Sequence, residues 1–591
     1  MRCGRRGSSA RRFGEGETPV FDTLIRNGNI VDGTGRPAFV GDIGIAGETI
    51  AAIGRDIGRG RREINAEGRI VTPGWVDIHS HYDGQATWDP LLAPSGAHGV
   101  TTTVMGNCGV GFAPARKQDH DALITLMEGV EDIPGTALAE GLPWNWESFP
   151  EYLDSLAAMP RVMDVAALLP HSALRAYVMG PEPSIRGAAS PAQLAQMGAI
   201  LRDGVAAGAY GFSTSRTKLH LGSDGKPVPG SFVEMEELLA LGQAVGEGGG
   251  GMLQLVCDWS ADDPAREFAW IRRLSAETGQ PLSFVLVQFP DTPLHHRRLL
   301  SLVGEARAEG LPIHAGIGSR PVGMLINLDS KIHPFSHRPS YAEIEALPLA
   351  AKLDRMRDAG FRARLLAEEN TNPSKFWRIR MAQFDNMFVL GDPPDYEPAP
   401  ESSIAAQAAR TGRAPLEIVY DVMTAGTGTD WLYFPLFNYA ERTFDPLLDM
   451  MRDPGGVLSL ADGGAHCGLI CDASAPTFQL THWVKTRSRG ARLGLEEAVH
   501  LQTGRTSSFW GFHDRGEISP GKRADLNIID LGALRLLPPR WAADLPAGGR
   551  RLLQDAEGYD ATFVAGRQTW AQGEPTGERP GRLVRGLGRT V

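Results

Sequence analysis

VTPGWVDIHSHYDGQ, residues 71–85, is the stretch whose reading decides the fold. An apolar run interrupted by Pro-Gly ends in two histidines one residue apart. Strand side chains alternate between faces, so His79 and His81 point to the same side. At the C-terminal end of a strand in a parallel barrel, that side carries the chemistry. Two neutral imidazoles so placed can chelate one divalent ion. An isolated His-x-His also occurs as a plain polar strand end; the apolar lead-in and Asp77 favour the ligand reading.

Outward from this stretch, strand-like runs recur at residues 70–79, 100–106, 162–169, 209–213, 252–256, 282–287, 311–315 and 457–460. Helical periodicity follows several of them, clearly at 191–206, 233–247 and 264–278. Eight such units predict an α/β fold closed as a TIM-like (β/α)8 barrel. An open doubly wound sheet would show a Gly-rich phosphate loop after its first strand, where this chain has histidines. Roughly 140 residues separate the seventh and eighth runs, too many for a simple connection. Residues 316–455 therefore read as a helical insertion able to cover the site. Both ends of the chain differ from the middle. FDTLIRNGNIVDGTGRPAFVGDIGIAGETIAAIG, from Phe21, and GKRADLNIIDL and GYDATFVAGRQTWAQGE near the other end alternate short β-rich runs with Gly, Asn and Asp turns.

The chain has 591 residues, 42% hydrophobic and 22% charged, enough for a large core with a smaller companion. A net charge of −11 offers no basic surface for nucleic acid and leaves small-molecule substrates open. Five irregularly spaced cysteines make no disulfide framework and point to a reducing cytoplasm. No apolar run approaches the roughly 20 residues needed to cross a bilayer. Residues 1–18, rich in Arg, Ser and Gly, lack a signal-peptide apolar region and read as a disordered tail.

Two further motifs extend the histidine pair. In GVTTTVMGNCGVGFAP, residues 99–114, Cys108 follows a β-branched run. A thiolate there is a soft ligand suited to zinc, able to complete one site or bridge two ions; the alternative is a buried structural cysteine. In VLSLADGGAH, residues 457–466, Asp462 follows the eighth run and would face the first strand across a closed barrel. It could ligate metal and take a proton, or simply cap the next helix. His466 and Cys467 read as packing or supporting residues.

With RNGNIVDGTG, GAYGFSTS and DRGEISPGKRADLNIID, these motifs make the chain similar to the amidohydrolase superfamily, and within it to the N-acyl-D-amino-acid deacylase (D-aminoacylase) family, from about Phe21 to the C-terminus. The resemblance implies a TIM-like barrel with a small β-sandwich made from both chain ends, here residues 19–70 and 515–591 around a barrel at 71–514. It implies metal or catalytic roles for His79, His81, Cys108 and Asp462, with one or two divalent ions, zinc foremost. There is one departure. The family carries metal-binding histidines at the ends of the fifth and sixth strands. Here those runs, GMLQLVCDWS and PLSFVLVQFP, hold none and offer Gln254, Cys257, Asp258 and Gln288 instead.

Other polar residues compete for roles. Arg216, Lys218 and His220 lie after the fourth run, on the expected active-site face, and are candidates for substrate binding; Arg320 is another. A guanidinium fork matches a carboxylate, and solvated loop charges are the competing reading. His171 and His314 read as structural. The expected activity is metal-dependent hydrolysis of a non-peptide amide C–N bond, with an N-acyl-D-amino acid as substrate. Hydrolysis of cyclic amides or other acylated amines is the alternative on the same scaffold. A binding protein that has lost catalysis is the reading from another class.

Overall fold

The computed structural model describes residues 20–259, 263–459 and 461–586; the tail read at 1–18 lies outside them. Eight short parallel strands organise the centre. They are β1 (Trp75–Asp77), β2 (Val100–Met105), β3 (Asp164–Ala167), β4 (Gly211–Ser215), β5 (Met252–Val256), β6 (Leu282–Val285), β7 (Ile313–Ile317) and β8 (Gly456–Leu458). β1, β2 and β3 form one ladder; the chain then runs past Leu168 into Leu169–Pro170, which starts a second ladder through β4, β5, β6, β7 and β8. Helices Pro191–Ala207, Met235–Glu247, Pro264–Thr278 and His295–Ala308 connect consecutive strands. Strands covered by helices on one face and packed together on the other are buried on both, so β2 is buried along its whole length despite three threonines.

Among the described residues no ladder joins β8 to β1. A parallel bridge between Ser80 and Gly463 spans that seam, where His81 N–H donates to the Gly463 carbonyl at 2.7 Å. The segments carrying His81 and Asp462 therefore meet just beyond the strand ends.

The run at 70–79 is two strands, which corrects its reading as one. Ile70–Pro73 pairs with Leu526–Ile529 on one side and Val20–Ile30 on the other, while β1 belongs to the central strands. The chain changes sheet at Gly74, whose N–H donates to the Asp525 carbonyl at 2.8 Å. A Cβ there would lie 2.2 Å from the Thr101 side chain, so only glycine allows the crossing. Residues 71–73, read as the start of the central region, thus pair in the sheet shared by the chain ends.

Strands from both ends of the chain share one nine-stranded sheet. Its middle is the run Tyr559–Val564, Leu526–Ile529, Ile70–Pro73, Val20–Ile30, Phe39–Ala46. Ile25, Ile43, Val71, Ile528 and Phe563 form its core. The last described residues leave this sheet, unlike the expectation for 515–591: Gly581 and Val584 donate to the Arg161 and Val165 carbonyls, beside and on β3. The insertion is helical at Leu349–Met356, Ala359–Ala367, Ile404–Thr411 and Pro415–Thr424. It also contains an antiparallel sheet of Gly323–Ile326, Leu432–Pro435 and Phe388–Val389, which the sequence reading lacked. Among the described residues no helix is long and apolar enough to cross a membrane.

Candidate metal centre

The β1 ladder stops at Asp77, and the extended chain carries on through His79 and His81. Asp77 Oδ1 accepts the His79 N–H at 3.1 Å, and Ser80 Oγ donates to the Val104 carbonyl at 2.9 Å. With Ser80 held outward, the two imidazoles fall on one side, ring centroids 5.3 Å apart. After β2 the chain turns sharply at Asn107–Gly109. Cys108 sits in the left-handed region at φ 57°, as does Gly109 at φ 71°. Asn107 Nδ2 donates to the Ser80 and Val104 carbonyls, tying the turn to the histidine segment. The Cys108 N–H donates to Gln254 Oε1 at 2.9 Å, and the Gly109 N–H to Ser213 Oγ at 3.1 Å. A non-glycine residue at positive φ costs free energy and persists only where its surroundings hold it. Asp462, after β8, is such a residue too, at φ 45°.

These segments bring four side chains together. His79 Nε2 lies 3.3 Å from Cys108 Sγ, and His81 Nε2 lies 3.8 Å from it. Asp462 Oδ1 is 3.5 Å from His79 Nε2 and 3.8 Å from His81 Nε2. Ligand atoms at about 2.0–2.3 Å from one tetrahedral ion stand roughly 3.3–3.8 Å from each other. His79, His81 and Cys108 present ligand atoms close enough together to hold one divalent ion, and Asp462 Oδ1 stands beside both imidazoles.

The electrostatics fit as well. Burial, together with neighbouring His220 and His466, holds His79 down to about 3, and His81 is lowered in the same way. Both imidazoles are thus neutral, as ligands must be. Burial pushes the Cys108 thiol well above its usual range, reinforced by Glu131, Asp462 and Asp83. Asp462 is likewise raised, by burial and then by Asp472 and Asp77. Several acids crowded in a dry site repel one another, and a bound cation reverses that balance.

Around the four lie residues that sequence reading placed less well. Glu131, the last residue of helix His120–Glu131, puts Oε1 3.3 Å from His81 Nδ1. No motif signalled it, because an acid in MEGVED looks like any helix-end charge. His466 Nε2 is 4.0 Å from Asp462 Oδ2 and 3.9 Å from Glu131 Oε2. His220 Nδ1 is 3.1 Å from Ser215 Oγ at the end of β4, facing the site. Arg216 and Lys218 are not brought there. Arg216 forks onto Glu267 and stacks over Trp270, and Lys218 pairs with Asp258 at 3.0 Å while largely exposed. Each thus has an anionic partner of its own. Arg320 is buried against Asp472, and His171 joins Thr214 and Glu237. His314 contacts Arg307. Of the fifth- and sixth-strand candidates, Gln254 touches the site through Cys108; Gln288 holds the backbone of Ala440, and Cys257 is buried in the core.

Residues 62–576 match the amidohydrolase family. The D-aminoacylase of Alcaligenes xylosoxydans xylosoxydans is 25% identical over 581 residues, covering 96% of this chain and 99% of its own. The N-acyl-D-aspartate deacylase of the same organism is 27% identical, with 95% of each chain covered. Among solved structures, an N-acyl-D-glutamate deacylase from Bordetella bronchiseptica, complexed with zinc and a phosphonate inhibitor, has a TM-score of 0.63 at 23% identity, covering 96% of this chain and 100% of that one. That last likeness is one of fold.

Proposed function

This chain belongs to the amidohydrolase family, and on that premise we propose that it hydrolyses the amide bond of N-acyl-D-amino acids with a divalent metal, zinc foremost. The observation that carries the reading is the convergence of His79, His81 and Cys108 at ligand spacing, with Asp462 beside both histidines. Relatives aligned over nearly the whole chain supply the substrate class. We take the eight strands as one barrel, closed at the seam by the Ser80–Gly463 bridge.

His79, His81 and Cys108 would hold the ion, with Asp462 at its open side. An ion held by these residues would supply Lewis-acid polarisation of the amide carbonyl and a more acidic water. Asp462 accepts a proton from the attacking water at a carboxylate oxygen and returns it to the leaving amine nitrogen. His466, beside Asp462 Oδ2, steadies that carboxylate. His220, at the edge of the site, is the group we assign to orient substrate. Cys108 must stay reduced to serve, which suits a cytoplasmic setting.

The test is a hydrolysis screen over paired N-acyl-D- and N-acyl-L-amino acids, with metal content measured on the same preparation. Bound metal and turnover confined to the D series support the reading. A metal-free protein, or one inactive on both series with metal restored, overturns it.

A further inference from the structure

Glu131 stands out among the buried acids because nothing in the fold needs a carboxylate there. It ends helix His120–Glu131, and a helix C-terminus favours cations over anions. It is 1% exposed. Its Oε1 lies 3.3 Å from His81 Nδ1, outside good hydrogen-bond geometry, and neither atom has a hydrogen-bond partner among the described residues. A buried carboxylate left so costs free energy unless it serves something. The backbone around it is fixed: the Glu131 carbonyl accepts from the His466 N–H, and Asp132, at φ 51°, accepts from the Gly468 N–H at 2.8 Å and pairs with Lys331 at 2.8 Å.

His81 presents Nε2 to Cys108 and Asp462, and Nδ1 to Glu131. We propose that Glu131 is a positioning residue that accepts the Nδ1–H of His81, and so fixes the tautomer and tilt that aim Nε2 at the metal. A carboxylate behind a ligating imidazole orients it and raises its basicity. The carboxylate oxygen facing His466, at 3.9 Å, extends the same support to the residue beside Asp462. The inference rests on the metal reading above.

The probe is cobalt(II), followed by its visible spectrum in the wild type, Glu131→Ala and Glu131→Gln, with zinc competition for affinity. Glu131→Ala should weaken metal binding by about 10–100-fold, the range seen when such supporting partners are removed. Glu131→Gln, whose amide oxygen can still accept from Nδ1, should restore most of that loss. In a His81→Ala background, Glu131→Ala should add nothing further. Wild-type affinity in Glu131→Ala overturns the proposal. Equal loss in the Gln and Ala variants makes the carboxylate a direct ligand and overturns it too. Should the Ala variant fail to fold, 15N-histidine NMR of the zinc-loaded wild type decides: His81 must carry its proton on Nδ1, and metal on Nδ1 overturns the assignment. A wild type that binds neither cobalt nor zinc removes the metal reading itself.

Discussion

The Asp462 N–H donates to the His79 carbonyl at 3.1 Å, while Asp462 Oδ1 stands 3.5 Å from His79 Nε2. Backbone and side chain thus couple the same two residues across the seam between the last strand and the first. The backbone contact sets where the carboxylate sits, and the left-handed φ of Asp462 turns it inward. Substitution at Asp462 therefore tests chemistry as long as the backbone contact survives.

Asp462→Asn keeps side-chain volume and the backbone contact but removes the basic oxygen. Turnover of an N-acyl-D-amino acid should fall by about 10²–10⁴-fold, the usual contribution of a general acid–base group. Metal content measured alongside kcat separates the roles. A variant that keeps metal and the wild-type rate would falsify the proton-transfer role. One that loses its metal makes Asp462 chiefly a ligand.

Cys108→Ser replaces a soft thiolate with a hydroxyl that is a poor zinc ligand. Zinc affinity should drop by at least about tenfold while the unfolding temperature of the metal-free protein stays close to that of the wild type. Chelator competition and thermal melts of the metal-free proteins read the two quantities. Unchanged zinc affinity would make Cys108 a buried structural thiol.

Gly109→Ala should damage the same site through the backbone. At φ 71° a Cβ is strained, and it would lie 2.8 Å from Thr214 Cα and 2.9 Å from Ser215 N, both main-chain atoms of β4. The left-handed conformation alone costs roughly 1–2 kcal/mol for a residue other than glycine. The expected outcome is a lower unfolding temperature together with weaker metal binding, since Cys108 moves with its neighbour. A variant matching the wild type in both would show that the turn has room to relax.

Away from the metal, Glu237 gives a pH test. Burial by itself would raise its carboxyl, but His171 and Arg175 outweigh that and hold it at about 2. A carboxylate depressed on folding adds stability that is present above its unfolded pKa, near 4.5, and is lost as pH falls through the folded value. By linkage the difference amounts to roughly 3 kcal/mol. Glu237→Gln should therefore melt well below the wild type at pH 7, and the gap should narrow between pH 4.5 and 2. A gap that stays constant over that window would assign the loss to packing.

That His79, His81, Cys108 and Asp462 come together was legible in the sequence for a physical reason. His79 and His81 follow from strand alternation, and Cys108 and Asp462 from the abrupt end of an apolar run at a glycine turn. Local patterning carries that information. The break at Gly74 was not legible, because Ile70–Pro73 and β1 are both apolar and differ only in which strand each pairs with. Glu131 was hidden for the same reason: its meaning lies in the His81 imidazole reached through space. The contacts of Arg216 with Glu267 and Trp270, and of Lys218 with Asp258, were likewise not legible, because those partners are distant in sequence.

The shared sheet of the two chain ends bears on how the molecule comes to be folded. Val20–Ile30 and Ile70–Pro73 are synthesised first, yet Ile70–Pro73 lacks a neighbour on one edge until Leu526–Ile529 arrives. Pairings this distant in sequence carry a large loop-closure cost and form slowly. On the ribosome these strands must therefore wait, with an open hydrogen-bonding edge, while the whole central α/β region emerges. An open edge of that kind is a template for pairing with other chains. Aggregation during synthesis should thus begin at the N-terminal strands, even though they are well covered once the last strands have docked.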